Sequence, residues 1–292
     1  MSSGLPSNFV LFSVLPFVAA NVGYWLTALP LEFILSRVLA ERRGQPKGKM
    51  REAPSVFWWS YWFRLIEYGN QKSRADAIDE TRSQVPFATQ LKGAVVQIAG
   101  PMALLGAGGA SLLLPHLLPT ATEPWPSLRE FGWQLVVMEL VGDFGLYWGH
   151  RIQHESEYLW EHFHSKHHSV GTPSPVSTLY IDGVDATLQA TLPLLLAAVA
   201  ARAHPVSFIV YVYLRIAENT LNHCGMESPL LDLVSLKFLP GRAANSHHDY
   251  HHRYSNYGSA TGQAKNYGEN FWIWDAAFGT AGNAVLRKGG KM

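Results

Sequence analysis

Residues 131–154 read FGWQLVVMELVGDFGLYWGHRIQH. The block from Phe131 to Trp148 is apolar except for Glu139 and Asp143, and it runs straight into His150 and His154. Isolated acids inside an apolar helix are costly and are expected to face a polar interior rather than lipid. Residues four apart project from one face of a helix, about 6 Å between β-carbons. The stretch therefore predicts a membrane helix whose end aims two imidazoles at a common point.

Further apolar blocks lie on either side. One runs from Phe9 to about Leu35, interrupted only by Glu32, and exceeds the roughly 20 residues a spanning helix needs. No basic region precedes it, so it reads as a retained membrane helix rather than a cleaved signal peptide. Arg37, Arg42, Arg43, Lys47, Lys49 and Arg51 follow it and place that connection on the cytosolic side. A second block, Ala94 to Leu118, lies in a stretch free of Asp, Glu, Lys and Arg between Lys92 and Glu123. It allows either a span through Pro101 or a hairpin. Thr187 to Ala217 is apolar apart from Arg202 and His204, and Pro193 and Pro205 divide it. The expected fold is an all-α integral membrane protein of about four transmembrane helices, or two hairpins, with a cytosolic helical cap.

Composition agrees. Charged residues are 15 % of the chain against roughly 25 % in soluble domains, and hydrophobic residues are 48 %. Trp58, Trp59, Tyr61 and Trp62 read as an interfacial aromatic belt. A formal net charge of +1 argues against a nucleic-acid partner. The single Cys224 forms no internal disulfide.

The 13 histidines are concentrated in the polar segments that follow the apolar blocks. After His150 and His154 come His164, His167 and His168, then His248, His251 and His252, with His247 beside them and His223 between the clusters. The i, i+3, i+4 spacing occurs twice, so each helical face offers two or three nitrogen donors. Eight ligands, with His223 as a ninth, exceed what one metal takes and point to a dimetal site. Imidazole suits Fe, Zn, Cu and Ni alike, so the metal stays open at this level. Asp143, Glu155, Glu161 and Asp249 are candidates to orient the rings. His247 is set aside because neighbouring helical residues point about 100° apart. His116, His162 and His204 read as ordinary surface or core residues, and Lys237 and Arg242 as solvated charges. No HExxH is present, which argues against a zinc hydrolase. A metal transporter would hold its ligands within the spans. A metal-binding membrane protein without oxidase activity remains an alternative.

The HxxxH, HxxHH and HxxHH order, with Asn222-His223-Cys224-Gly225 before the last box and Trp274-Asp275 after it, resembles the fatty acid hydroxylase and sterol desaturase superfamily. The tail, including Asn256-Tyr257-Gly258, is similar to that of C-4 methylsterol oxidases. The resemblance implies two non-haem Fe ions held by His150, His154, His164, His167, His168, His223, His248, His251 and His252. It also implies O2 as oxidant, a lipid substrate (sterol, fatty acyl or terpenoid), and hydroxylation, stepwise oxidation or desaturation as outcome. An electron donor such as cytochrome b5 or an NAD(P)H-dependent reductase, and an endoplasmic-reticulum-type membrane with a cytosol-facing site, are implied too. Sterol-oxidase relatives carry a histidine where this chain has Asp182, so Asp182 and Asp249 are the expected catalytic acids. The expected organisation is an N-terminal membrane region over 1–130, a fatty acid hydroxylase-like catalytic region over 131–285, and a tail over 286–292.

Overall fold

The computed structural model describes residues 8–43, 62–66, 74–119, 123–255 and 265–282. Most of the basic connection after the first helix, Trp58 to Tyr61, Asn256-Tyr257-Gly258 and the tail lie outside them.

A π-helical turn, Val10–Val14, leads into α1, Leu15–Arg43. After it come α2 (Arg74–Gln84), α3 (Phe87–Ala99) and α4 (Pro101–Leu113). The 28-residue α5, Leu128–Glu155, starts at a capping box in which Ser127 and Glu130 satisfy each other's backbone N–H groups. The second histidine box occupies a π-turn, Trp160–His164, and α6, Ser165–His168. Beyond it lie α7 (Leu192–Ala200), α8 (Pro205–Asn222), α9 (Asn245–Tyr254) and α10 (Ile273–Ala277). A two-residue antiparallel pairing of β1 (Arg64–Leu65) with β2 (Met226–Glu227) ties the segment after α1 to the segment after α8.

The protein is an all-α membrane protein. Three helical segments of the described chain, Val10–Ala40, Phe87–His116 and Gly183–Ala200, are long and apolar enough to cross a bilayer. The second block is divided at Gly100, whose extended backbone separates α3 from α4. Pro193 lies inside the continuous Gly183–Ala200 segment, just after a π-helical turn over Thr187–Thr191, and does not divide it, whereas Pro205 opens a new helix. The expected Phe131–Trp148 span lies in α5, which is not among the three. Its outer face is nevertheless apolar: Trp133, Val136, Leu140, Phe144 and Trp148 are all exposed. Exposed Val18, Val22, Leu26, Leu29 and Phe33 make a similar stripe on α1. Contiguous apolar faces of this extent are what lipid-facing helices present and soluble domains avoid.

The acids of α5 turn inward. Glu139 accepts from Arg242 and from Asn270, and Asp143 is wholly buried. The close α1–α8 approach needs Gly23, because a β-carbon there would stand 2.7 Å from the Tyr213 carbonyl oxygen. Beneath the apolar layers, α9 and the segment 265–282 close over the lower end of α5 and build the cap.

Candidate metal centre

Nine imidazoles converge in two adjacent groups. His150, His154, His164, His168 and His251 form one, and His167, His223, His248 and His252 the other. Within each group the nitrogens lie within 4.8 Å of one another. Apart from the half-buried His168, every ring is at most 6 % exposed. The groups touch: ring centroids of His168 and His252 are 4.8 Å apart.

Helix geometry sorts the ligands. The i, i+4 pairs His150/His154 and His164/His168 enter the five-membered group, and His248/His252 enters the four-membered one. The i+3 residue of each HxxHH box goes to the opposite group, His167 to the four and His251 to the five. Adjacent residues point about 100° apart, so each His-His pair straddles the two groups. His223, at the end of α8, completes the four.

The tautomers follow from the outer partners. His150 Nδ1 donates to the Tyr267 carbonyl (2.9 Å), His251 Nδ1 to the Lys265 carbonyl (2.6 Å), and His223 Nδ1 to the Asn219 carbonyl (2.8 Å). His164 Nδ1 lies 2.9 Å from Asp185 Oδ2. A carbonyl can only accept, so the proton sits on Nδ1 and the Nε2 lone pair points inward. Burial, followed by repulsion from neighbouring imidazoles, holds His164, His168, His248 and His252 well below the usual histidine pKa, so these rings are neutral. The inward Nε2 atoms then crowd: His164 to His154 is 3.0 Å, His154 to His251 is 3.1 Å, and His248 to His223 is 3.0 Å. Buried His150 Nε2 and His252 Nε2 have no hydrogen-bond partner. Lone pairs brought this close, with orphaned nitrogens among them, fit a pair of metal cations (five donors on one, four on the other).

The sequence-based acids stand elsewhere. Asp182 caps the short helix Gly183–Ala186, accepting from Val184 N at 2.8 Å, and belongs to neither group. Three residues on, Asp185 is wholly buried and supports His164 instead. An N-cap carboxylate is turned back onto its own helix, while Asp185 in the first turn faces the rings. Asp249 shares a helix with three ligands but pairs with Arg74 at 2.5 Å, both fully buried. Glu155 pairs with Arg151, and Glu161 is exposed.

Asp143 grips the C-terminal segment through Asn270 N (2.9 Å), Phe271 N (3.1 Å) and Trp274 Nε1 (3.1 Å). Asp275 does the same through Tyr267 N (2.8 Å), Gly268 N (2.9 Å) and Thr280 Oγ1 (2.7 Å). It also lies 3.0 Å from His247, which points away from both groups. These clamps set the Lys265 and Tyr267 carbonyls on their histidines, a function invisible in side-chain identity. Lys237 and Arg242, expected in solvent, are engaged internally. Lys237 Nζ donates to Asn222 Oδ1 (2.5 Å), and Arg242 bridges Glu139 and Glu218.

A cavity of about 100 Å³ adjoins the four-membered group, with His167 and His223 in its wall. Leu146, Leu179, Leu194, Val212 and Ile216 make it apolar, while Asp185, Arg215, Asn219 and Glu269 give it one polar side.

The fatty acid hydroxylase family matches residues 135–280, which hold all nine histidines of the two groups. The chain belongs to the fatty acid hydroxylase family. Among its relatives, a methylsterol monooxygenase of Arabidopsis thaliana is 32 % identical over 54 % of this chain and 55 % of its own length. A very-long-chain aldehyde decarbonylase of Oryza sativa subsp. indica is 28 % identical over 82 % of this chain and 90 % of its own. An ornithine lipid hydroxylase of Rhizobium tropici is 29 % identical over 75 % of this chain and 62 % of its own. The match thus spans about half the length of the methylsterol monooxygenase. No solved structure matches the chain.

Proposed function

We propose that this protein is a membrane-embedded, non-haem di-iron oxidase that uses O2 and an external reductant to hydroxylate or stepwise oxidise a lipid. The observation that carries this reading is the pair of buried imidazole groups, five and four, with the four-membered group beside an apolar cavity. The family and the names of its relatives, which cite a methylsterol, a very-long-chain aldehyde and an ornithine lipid, support a lipid substrate.

His150, His154, His164, His168 and His251 would hold one iron, and His167, His223, His248 and His252 the other. Iron bound there supplies the oxidising power drawn from O2. The protein's own part is positioning and exclusion. The Asp185 carboxylate and the Lys265, Tyr267 and Asn219 carbonyls keep the ring protons of His164, His251, His150 and His223 on Nδ1, so the inner nitrogens of these four are free to coordinate. The apolar cavity wall admits a hydrocarbon segment beside His167 and His223 and keeps bulk water out. Electrons would come from cytochrome b5 or an NAD(P)H-dependent reductase. The site would face the cytosol from an endoplasmic-reticulum-type membrane.

The test compares wild type with His251→Ala in lipid nanodiscs by iron analysis, Mössbauer spectroscopy and lipid mass spectrometry with reductant and O2. Two irons per wild-type chain and a wild-type-only product gaining oxygen are expected. A product that only loses two hydrogens would make the protein a desaturase. Stoichiometric zinc without O2 uptake would overturn the oxidase reading.

A further inference from the structure

The segment between His223 and the last histidine box has its polarity reversed. Across residues 229–240 every exposed residue is apolar, Leu233, Val234 and Phe238 being 60–65 % exposed, while the polar Asp232, Ser235 and Lys237 are half-buried. Leu230, Leu233 and Val234 fall at i, i+3 and i+4 on one face of the short helix Pro229–Val234. Leu231 turns the other way, into one buried cluster with Leu35 and Leu39 of α1, and holds the helix to the body of the protein. The helix ends in a Schellman turn: Lys237 N–H donates to the Asp232 carbonyl (2.8 Å) and Leu236 N–H to the Leu233 carbonyl (3.3 Å). Glycine is the usual residue at the left-handed position of such a turn, and here it is Leu236, at φ 55. A bulky side chain strains the backbone there. The turn leaves Leu236 exposed, while Lys237 reaches inward to the Asn222 side chain and the Ala243 carbonyl.

Soluble surfaces avoid an apolar patch of this kind. A groove of about 460 Å³ separates it from the membrane helices. Val136 and Leu140 of α5 and Leu214 of α8 form one wall, and Val234, Leu236 and Leu239 form the other. Val136 and Leu140 belong to the outer apolar stripe of α5, so lipid that covers that stripe also meets the far wall. Leu140 lies ten residues before His150, roughly 15 Å along the α5 axis. The segment therefore climbs from the level of the histidines back beside the apolar layers. We propose that residues 229–240 form a re-entrant membrane anchor for the cap, with acyl chains of bilayer phospholipid filling the groove against α5 and α8. Irregular backbone meets lipid only where its own polar groups are satisfied. Here the Ser235 and Leu239 N–H groups donate to the Leu231 and Leu236 carbonyls (3.0 Å each), and the Ser235 carbonyl accepts from Arg242 (3.1 Å). The anchor requires no metal, so its test is independent of the oxidase reading.

The test uses the full-length protein in phosphatidylcholine nanodiscs. Wild type is photolysed with phosphatidylcholine that carries a diazirine in one acyl chain, and adducts are mapped by peptide mass spectrometry. Adducts are expected on 229–240 as well as on the α1 stripe of Val22, Leu26 and Leu29. Adducts on α1 with none on 229–240 would overturn the proposal. A second measurement attaches a nitroxide at Phe238→Cys, with Glu157→Cys, an exposed cap position, as the aqueous reference. The native Cys224 is buried. The ratio of O2 to water-soluble nickel-chelate collision rates is expected to be severalfold higher at Phe238→Cys than at Glu157→Cys. Equal ratios would put the segment in water and overturn the anchor. Spin–spin broadening at Phe238→Cys that vanishes on dilution with unlabelled protein would make this face a contact between two copies, and would overturn it as well.

Discussion

Asp182 and Asp185 lie three residues apart and do different work. Asp182→Ala removes an N-cap and should cost about 1 kcal/mol of stability with metal content and turnover kept. Asp185→Asn removes the carboxylate that fixes the His164 tautomer and should lower metal affinity by about 10–100-fold at near-wild-type folding. Thermal unfolding and metal titration of the two variants separate these outcomes. His251 donates Nδ1–H outward and is one of five inner nitrogens, so His251→Ala should abolish turnover and lower iron content, read by metal analysis and product assay. Reading acids along the chain finds that this region matters and misses which carboxylate reaches the ring, because helix capping, not proximity in sequence, turns Asp182 away.

At the scale of elements, the HxxHH box is a device for dividing ligands. Its i, i+4 pair enters one imidazole group and its i+3 member the other, which a single helical face would not suggest. The turn before α7 must also come close to α5. A β-carbon on Gly149 would collide with the Leu188 carbonyl oxygen and the Leu188 carbonyl carbon. Gly149→Val should therefore push His150 off its position, lowering thermal stability by about 1–3 kcal/mol and weakening metal retention together. The segment 265–282 is held by Asp143 and Asp275 rather than by a long helix of its own. Asp275→Ala should unfasten it, and limited proteolysis should then cut there faster than in wild type, with loss of the carbonyls that orient His150 and His251.

Over the whole molecule, the cap is bound to the helices by buried charge as well as by the converging histidines. Arg74 on α2 ties α9 through Asp249 and also donates to the Pro173 carbonyl at 2.7 Å. Arg74→Met should cost about 3–5 kcal/mol by stranding the Asp249 carboxylate, and the double variant Arg74→Met, Asp249→Leu should recover most of it, as read by denaturation in detergent. The sequence by itself determined the all-α membrane class, the nine converging histidines and their i, i+3, i+4 placement. Apolar block length and helical spacing are local properties that a single chain carries openly. Only the tertiary structure decided how the nine divide into five and four, that Asp185 rather than Asp182 or Asp249 supports a ligand, and that Arg242 and Lys237 are internal. Each of these depends on backbone carbonyls, capping and partners up to 175 residues away in the chain, and long-range approach leaves no periodic trace in sequence.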